Sequence, residues 1–247
     1  DKYKLQDEIQ FADYSTRELQ DRVTAEQVLE ILREGNRRFV SDNRLTRDFG
    51  RQVHATASGQ TPLAVVLSCI DSRVPTELVL DVGLGDIFSV RVAGNVIGTK
   101  SLGSIEYGVT VAGVKLVLVM GHTRCGAVTA AVNLLSTNQD VGKATGCPHL
   151  HAIIDEIEPS VDRDAFHAAR SQGESQIEAV VDEVIVRNVM QTVQKITTRS
   201  GAIRAAVESG KVMVVGAIYD VNSGKISFLD DQGNERPHLP VLEHQTA

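Results

Sequence analysis

The sequence predicts an α/β fold: a mostly parallel central β-sheet of four strands plus a C-terminal strand, flanked by helices, with an N-terminal helical arm. Two observations support this fold class. Short apolar runs typical of buried strands recur along the chain, and segments with helical spacing of apolar residues separate them. Strands that alternate with helices form parallel sheets through right-handed crossovers.

The predicted elements follow one another from residue 24 to residue 229. Strands are predicted over residues 62–69, 86–92, 114–121, 211–220 and 225–229. Helices are predicted over residues 24–40, 75–80, 101–111, 127–135, 149–158, 174–196 and 202–209, and Thr24 with Gln27 has the spacing of a capping box. The polar residues 41–60 are expected to be extended or looped, and the acidic residues 155–164 to form a solvated helix end and loop.

The composition predicts one domain over residues 1–247, with the arm at residues 1–40 and the core at residues 61–230. The net charge of −7 argues against nucleic acid as the main partner, because phosphate binding needs a basic surface. No apolar stretch is long enough to span a bilayer, so direct membrane insertion is not expected. Three cysteines in a chain of 247 residues are typical of a reducing compartment, and we expect a cytoplasmic location.

Two short motifs lie where predicted strands end. The first strand runs into CxDSR at residues 69–73, and the third runs into HxxCGA at residues 122–127. Ligands of an open parallel sheet bind beyond the carboxyl ends of its strands, and neighbouring strands would bring the two motifs together. Cys69, His122 and Cys125 supply two thiolates and one imidazole, a good ligand set for Zn²⁺. Three protein ligands leave a fourth position for water, which is the catalytic arrangement.

Asp71 and Arg73 follow Cys69 at spacings of two residues, which places side chains on one side of an extended turn. Asp71 can accept a hydrogen bond from water on the metal, and Arg73 can hold that carboxylate by a two-pronged pair. Alternatively, Asp71 could swing onto the zinc and close the fourth position. The sequence CPHLH at residues 147–151 also has metal-like composition, but it precedes a helix and no further ligands flank it, so we do not interpret it as a metal site.

With these motifs, the sequence resembles the β-class carbonic anhydrases. The resemblance covers roughly residues 24–229 and rests on CxDSR, HxxCGA, RVAGN at residues 91–95 and GAIYD at residues 216–220. It implies reversible hydration of carbon dioxide to bicarbonate and a proton, with one Zn²⁺ per chain and zinc-bound hydroxide as the nucleophile. Cys69, His122 and Cys125 are then the zinc ligands, and Asp71 with Arg73 is the catalytic pair.

The resemblance also implies the residues of a substrate pocket. Gln60 matches a substrate-contacting glutamine that a second copy of the chain supplies across a dimer interface. Phe88, Ala93 and Tyr107 match residues that line the carbon dioxide pocket, and Gly126 matches a glycine whose backbone N–H faces the substrate. We therefore expect a homodimer or a dimer of dimers, in which the N-terminal arm wraps the partner.

Two positions depart from the pattern of the family. Ala93 stands where many members have Val, which predicts a slightly wider pocket. Val66 stands where members with an inhibitory bicarbonate site have Trp, although Arg91 and Tyr107 match the other two residues of that site. This difference predicts a site that stays open, with water on the zinc and Asp71 off it.

Two other functions fit the same residues. One is hydrolysis of carbonyl sulfide or carbon disulfide on the same scaffold. The other is a zinc-stabilised binding module without turnover, although the intact Asp71, Arg73 and Gln60 argue against it. In a hydratase, His54 is a candidate proton shuttle. The chain does not begin with Met, and residues 1–22 resemble the lead-in of carbonic anhydrase domains attached to membrane anion transporters, an expectation that the full gene would test.

Overall fold

A five-stranded sheet forms the centre of the computed structural model, which describes residues 14–237. Its strands are β1 (Ala64–Ser68), β2 (Ile87–Arg91), β3 (Leu116–His122), β4 (Met213–Tyr219) and β5 (Ile226–Phe228). The order is β2-β1-β3-β4-β5; the first four strands are parallel, and β5 runs antiparallel to β4. The predicted fold class is confirmed. Because β1 and β3 are neighbours, the two motifs that follow them lie at the same edge of the sheet.

Helices cover both faces of the sheet. They are α1 (Arg17–Arg22), α2 (Ala25–Val40), α3 (Phe49–Thr56), α4 (Thr76–Val79), α5 (Thr99–Tyr107), α6 (Gly126–Ser136), α7 (Val141–Thr145), α8 (His151–Ile157), α9 (Arg163–Arg170), α10 (Glu174–Arg199) and α11 (Gly201–Glu208). Gly108–Ala112 continues α5 as a π-helical turn, and 3₁₀ turns lie at Ala93–Asn95, Pro148–Leu150 and Glu158–Ser160. Within residues 14–237, no helix combines the length and the apolar character needed to cross a membrane.

Alternate side chains of the central strands pack on opposite faces of the sheet. On one face, Val66 of β1 lies in a buried cluster with Leu32 of α2. On the other face, Val65 lies in a buried cluster with Val189 of α10. Every residue of β1 and β3 is buried, which explains why both strands appear in the sequence as continuous apolar runs.

The described part of the predicted N-terminal arm lies on this chain's own sheet. The predicted capping box is present at the start of α2, with Thr24 and Gln27 bonded to each other's backbone N–H at 3.2 and 2.9 Å. The buried Gln20 donates to the carbonyl oxygens of Pro62 and Ala112, which ties α1 to the core. Residues 1–13 and 238–247 lie outside the described residues, and contact of the arm with a second copy stays a prediction.

Two helices lie where none is predicted from the sequence: α3, within residues 41–60, and α9 (Arg163–Arg170), which begins where the predicted loop ends. The predicted helix end within residues 155–164 agrees with the end of α8 at Ile157. Residues 41–60 contain α3, whose first turn is capped by Asp48 accepting from the Arg51 N–H at 2.9 Å. Residues 155–164 lead into α9, which Asp162 caps in the same way through Ala165 at 2.9 Å. Each helix has eight residues, so its apolar face is too short to show a clear helical period, and the capping aspartate is the better signal.

Candidate metal centre

The carboxyl ends of β1 and β3 bring three metal-ligating side chains together. Ser68 of β1 pairs with Met120 of β3, so the residues that follow both strands are adjacent. The ligand atoms of Cys69, His122 and Cys125 all lie within 4.8 Å of one another, and all three residues are buried. Among the described residues this is the only such group of three or more, whereas the CPHLH run leaves its cysteine exposed. The predicted ligands therefore meet in one buried cluster.

The ring of His122 is oriented for a metal. Its Nδ1 lies 2.9 Å from the carbonyl oxygen of Thr123, so a proton on Nδ1 is donated there and Nε2 carries the free lone pair. Nε2 is buried and makes no hydrogen bond to any described residue. A buried polar atom without a partner is costly, and a cation bound beside the two sulfurs would supply that partner.

The two thiols are soft donors in an environment that favours a thiolate. A hydrogen bond with Cys125 lowers the pKa of Cys69, and the adjacent His122 and the N–H groups of Asp71 and Gly94 lower it further against the effect of burial. The same hydrogen bond and burial raise the pKa of Cys125. The pair therefore concentrates one negative charge next to the free Nε2, and two sulfurs with one imidazole suit Zn²⁺.

The 3₁₀ turn after β2 contributes a backbone donor to the cluster. The Gly94 N–H donates to the Cys69 Sγ at 3.4 Å. Gly94 has φ 66° and ψ 15°, a left-handed conformation that favours glycine, and Asn95 after it has φ 46°. Ala93 belongs to this turn and directly precedes Gly94, whose N–H contacts the Cys69 sulfur. The role of Gly94 is not among the predictions from the sequence, although a Gly-Asn pair after a strand is a turn signal.

Asp71 and Arg73 form a two-pronged ion pair beside the cluster. Arg73 Nε and Nη2 donate to the two carboxylate oxygens of Asp71 at 3.0 and 2.8 Å, and the Arg73 N–H adds a third hydrogen bond at 2.9 Å. Asp71 Oδ2 lies 3.9 Å from Nε2 of His122. The hydrogen bond from the Arg73 side chain lowers the pKa of Asp71 to about 2, so this carboxylate is ionised at neutral pH.

Arg91 holds the backbone of the CxDSR loop in place. Its Nε donates to the carbonyl oxygen of Cys69 at 2.9 Å, and its Nη2 donates to that of Asp71 at 2.6 Å. Arg91 ends β2 and pairs in register with Ser68, which places its side chain next to the loop. From the sequence, Arg91 is notable only for its match to an inhibitory bicarbonate site, and its supporting role is not predicted.

The predicted pocket residues lie in two places. Gly126 begins α6 directly after Cys125, and a methyl group added there would meet nothing within 4 Å, so open space lies beside it. Phe88 instead pairs with Val65 near the amino end of β1 and packs on Tyr107, with ring centroids 6.3 Å apart. Val65 precedes Cys69 by four residues, which is about 13 Å along a strand.

Gln60 and His54 also lie away from this chain's own cluster. Gln60 is exposed and precedes β1, whereas Cys69 follows the other end of that strand. His54 is an exposed residue of α3, and α3 is anchored by Gln52, which accepts a hydrogen bond from the Leu84 N–H ahead of β2. The structure therefore does not bring Gln60, Phe88 and Tyr107 to the metal ligands of the same chain.

Comparisons with known proteins agree with this geometry. The family model described as carbonic anhydrase matches residues 64–226. Carbonic anhydrase 2 of Mycobacterium tuberculosis is 38% identical over 212 residues, which cover 82% of this chain and 92% of that protein. The carbonic anhydrase of Mycolicibacterium smegmatis is 37% identical over 204 residues, with the same coverage. The crystal structure of the β-carbonic anhydrase CafA of Aspergillus fumigatus superposes with a TM-score of 0.62 at 28% identity, covering 74% of this chain and 82% of that one. Because the family model matches more than half of its length, the chain belongs to the β-carbonic anhydrase family and is a carbonic anhydrase enzyme.

Proposed function

We propose that this enzyme hydrates carbon dioxide reversibly, using one zinc ion per chain held by Cys69, His122 and Cys125. The observation that carries the proposal is the buried Nε2 of His122, which has no hydrogen-bond partner among the described residues and lies within 4.8 Å of two thiols. Zinc bound there would supply a Lewis acid that lowers the pKa of water. Because two thiolates cancel its charge, this water should be less acidic than on zinc held by three histidines, and activity should rise into the alkaline range.

Asp71 orients the attacking water in this proposal. As an ionised carboxylate, it accepts a hydrogen bond from that water and fixes the direction of the oxygen lone pair. Both carboxylate oxygens of Asp71 are bound by Arg73, which favours a carboxylate that stays off the metal. The buried Val66, which replaces the Trp of the inhibitory bicarbonate site, supports the same open arrangement.

The remaining pocket groups bind substrate and product oxygens. The Gly126 N–H, beside open space at the start of α6, donates to developing bicarbonate, and Ala93 forms part of the apolar wall. Gln60, Phe88 and Tyr107 come from a second copy of the chain, which makes the active unit a homodimer or a dimer of dimers. The exposure of Gln60 and of Tyr107, 55% exposed, supports this assignment.

We place the enzyme in the cytoplasm. All three cysteines are free, and two of them belong to the metal cluster, which a reducing compartment keeps available for the metal.

Elemental analysis and stopped-flow hydration with a pH indicator test the proposal. One zinc per chain together with rapid carbon dioxide hydration would support it, and purified protein that binds no zinc would contradict it. Hydrolysis of carbonyl sulfide and carbon disulfide is measured on the same sample. Zinc with turnover of these sulfur compounds alone would indicate the alternative hydrolase, and zinc with no turnover of any of them would indicate a binding module.

A further inference from the structure

We propose that Asn188 of α10 is a positioning residue of the metal centre, which acts by fixing Gly94 so that the Gly94 N–H reaches the Cys69 sulfur. The inference rests on the zinc centre proposed above and extends it to a residue that no motif marks. Asn188 lies 94 positions from Gly94 in the chain, and it is 1% exposed.

Two hydrogen bonds hold Gly94 from opposite sides. Asn188 Nδ2 donates to the Gly94 carbonyl oxygen at 2.8 Å, and the Gly94 N–H donates to the Cys69 Sγ at 3.4 Å. Gly94 has a left-handed conformation, and glycine also has the widest choice of other conformations. Without the bond from Asn188, the turn could therefore rotate and withdraw the N–H from the sulfur.

The helix that carries Asn188 packs closely on the sheet next to this residue. Val189, the next residue, lies over two strand glycines: a methyl group added at Gly121 would be 2.6 Å from Val189 Cγ2, and one at Gly216 would be 2.8 Å from Val189 Cγ1. Such an approach is open only to glycine, so α10 lies closer to β3 and β4 than side chains would allow. Gly121 also directly precedes His122. The contact of Val189 with Gly121 therefore places the helix segment of Asn188 next to a second metal ligand.

The hydrogen bond to sulfur changes how Cys69 binds a metal. An N–H donor orients the sulfur lone pairs and draws electron density from the thiolate. Loss of Asn188 should therefore weaken metal binding and leave a more electron-rich thiolate. A purely structural role for Asn188 predicts lower stability without either change.

The first test compares zinc affinity by competition with a chromogenic chelator. Asn188→Leu removes the donor at similar size, and Asn188→Ala is the milder second variant; both should bind zinc about 10–100-fold more weakly than the wild type. The matched control is Asn36→Leu. Asn36 is also buried, and its Nδ2 donates to the carbonyl oxygens of Val79 and Gly224 at 3.0 and 2.8 Å, neither of which belongs to a metal ligand or to the turn at Gly94. This control should lose stability and keep the zinc affinity.

The second test is spectroscopic and uses cobalt(II) in place of zinc. The thiolate-to-cobalt charge-transfer band should move to longer wavelength in the Asn188 variants, because an electron-rich sulfur is oxidised more easily, and it should not move in Asn36→Leu. Unchanged affinity and an unchanged band in the Asn188 variants would overturn the inference while leaving the proposed function intact. A wild-type protein that binds neither metal would instead overturn the proposed function, and this inference with it.

Discussion

The two ends of the central sheet are built differently. At the carboxyl end, one chain assembles the whole metal cluster and excludes solvent from it: Cys69 is 4% exposed, and Cys125 and His122 are exposed still less. At the amino end, the substrate residues implied by the family stand at the surface, with Gln60 exposed and Tyr107 55% exposed. The three predicted metal ligands thus meet within one chain, whereas Gln60 and Tyr107 do not reach them in that chain.

This difference follows from what each group costs when it is buried. A thiolate and an imidazole N–H are stable in the interior only where hydrogen-bond partners are built in, so the chain supplies the Gly94 N–H to the Cys69 sulfur and the Thr123 carbonyl oxygen to Nδ1 of His122. A glutamine amide and a tyrosine hydroxyl can hydrogen-bond to water at the surface, so neither needs a partner in its own chain, and our proposal assigns both to the site of a second copy. If both ends contribute to one active site, substitutions at either end should lower the hydration rate, and only those of a metal ligand at the carboxyl end should release the metal.

The largest effect is expected at the metal end from Cys125→Ala. Two remaining ligands hold zinc poorly, so we expect loss of the metal and a fall in the hydration rate of more than about 1,000-fold. Cys147→Ala is the matched control, because Cys147 is exposed and outside the cluster, and it should keep both metal and rate. Elemental analysis and stopped-flow hydration measure the two properties. A Cys125→Ala protein that keeps zinc and rate would falsify the assigned ligand set.

A second, smaller effect is expected from Asp71→Asn. The amide keeps the shape of the carboxylate but loses its charge, so water on the metal is no longer oriented by an anion. We expect the rate to fall about 100–1,000-fold with zinc still bound. Asp155→Asn, at an exposed carboxylate in α8, should change neither quantity. If Asp71→Asn keeps the full rate, the carboxylate does not act on the reacting water.

The metal end could be predicted from the sequence because its signals are local. Cys69 and His122 each follow an apolar run, and the rule for parallel sheets brings such positions together. The sequence cannot predict the bond from Asn188 to Gly94, because 94 positions separate the two residues and the seating of α10 decides it. It also does not describe the contact with a second copy that we propose for Gln60, since such a contact leaves no periodic pattern in the sequence of one chain.

The amino end is tested by Gln60→Ala. Removing one donor to a developing oxyanion should lower the rate about 100-fold, while zinc content stays the same. Asn43→Ala, at an exposed amide in the segment before α3, is the matched control and should leave the rate unchanged. A normal hydration rate in Gln60→Ala would show that Gln60 does not bind the substrate.

Mixing two inactive variants tests whether the two ends belong to different copies. Suppose that each site combines the metal ligands of one chain with Gln60 of the other. A mixed dimer of Cys125→Ala and Gln60→Ala then has one site with both defects and one site with none. Random exchange of subunits should therefore restore about one quarter of the wild-type activity. If each site used only its own Gln60, no mixture would recover activity. The measurement is stopped-flow hydration after the subunits are separated and reassociated at equal concentration.

The smallest effect is expected from Glu156→Gln, at the contact between α8 and α10, and it concerns stability and not the rate. Glu156 of α8 accepts hydrogen bonds from Lys195 and Arg199 of α10 at 2.7 and 3.0 Å, which braces the helix that carries Asn188. Because the pair is partly solvated, Glu156→Gln should lower the free energy of unfolding at pH 7 by about 0.5–1 kcal/mol and leave the rate unchanged. Glu183→Gln, in the more exposed pair with Arg187 on α10, should cost less.

The pH dependence of this loss in the free energy of unfolding shows whether the charge of Glu156 is responsible. Burial raises the pKa of Glu156, but the hydrogen bonds from Arg199 and Lys195 outweigh it, so its pKa in the folded protein is lowered. A lowered pKa stabilises the fold above the unfolded value of about 4.3, and this contribution disappears as the pH falls through the folded value. The gap between wild type and Glu156→Gln in urea denaturation should therefore be full at pH 7 and close in acid. A gap of equal size at both pH values would mean that the side chain acts by packing and not by charge.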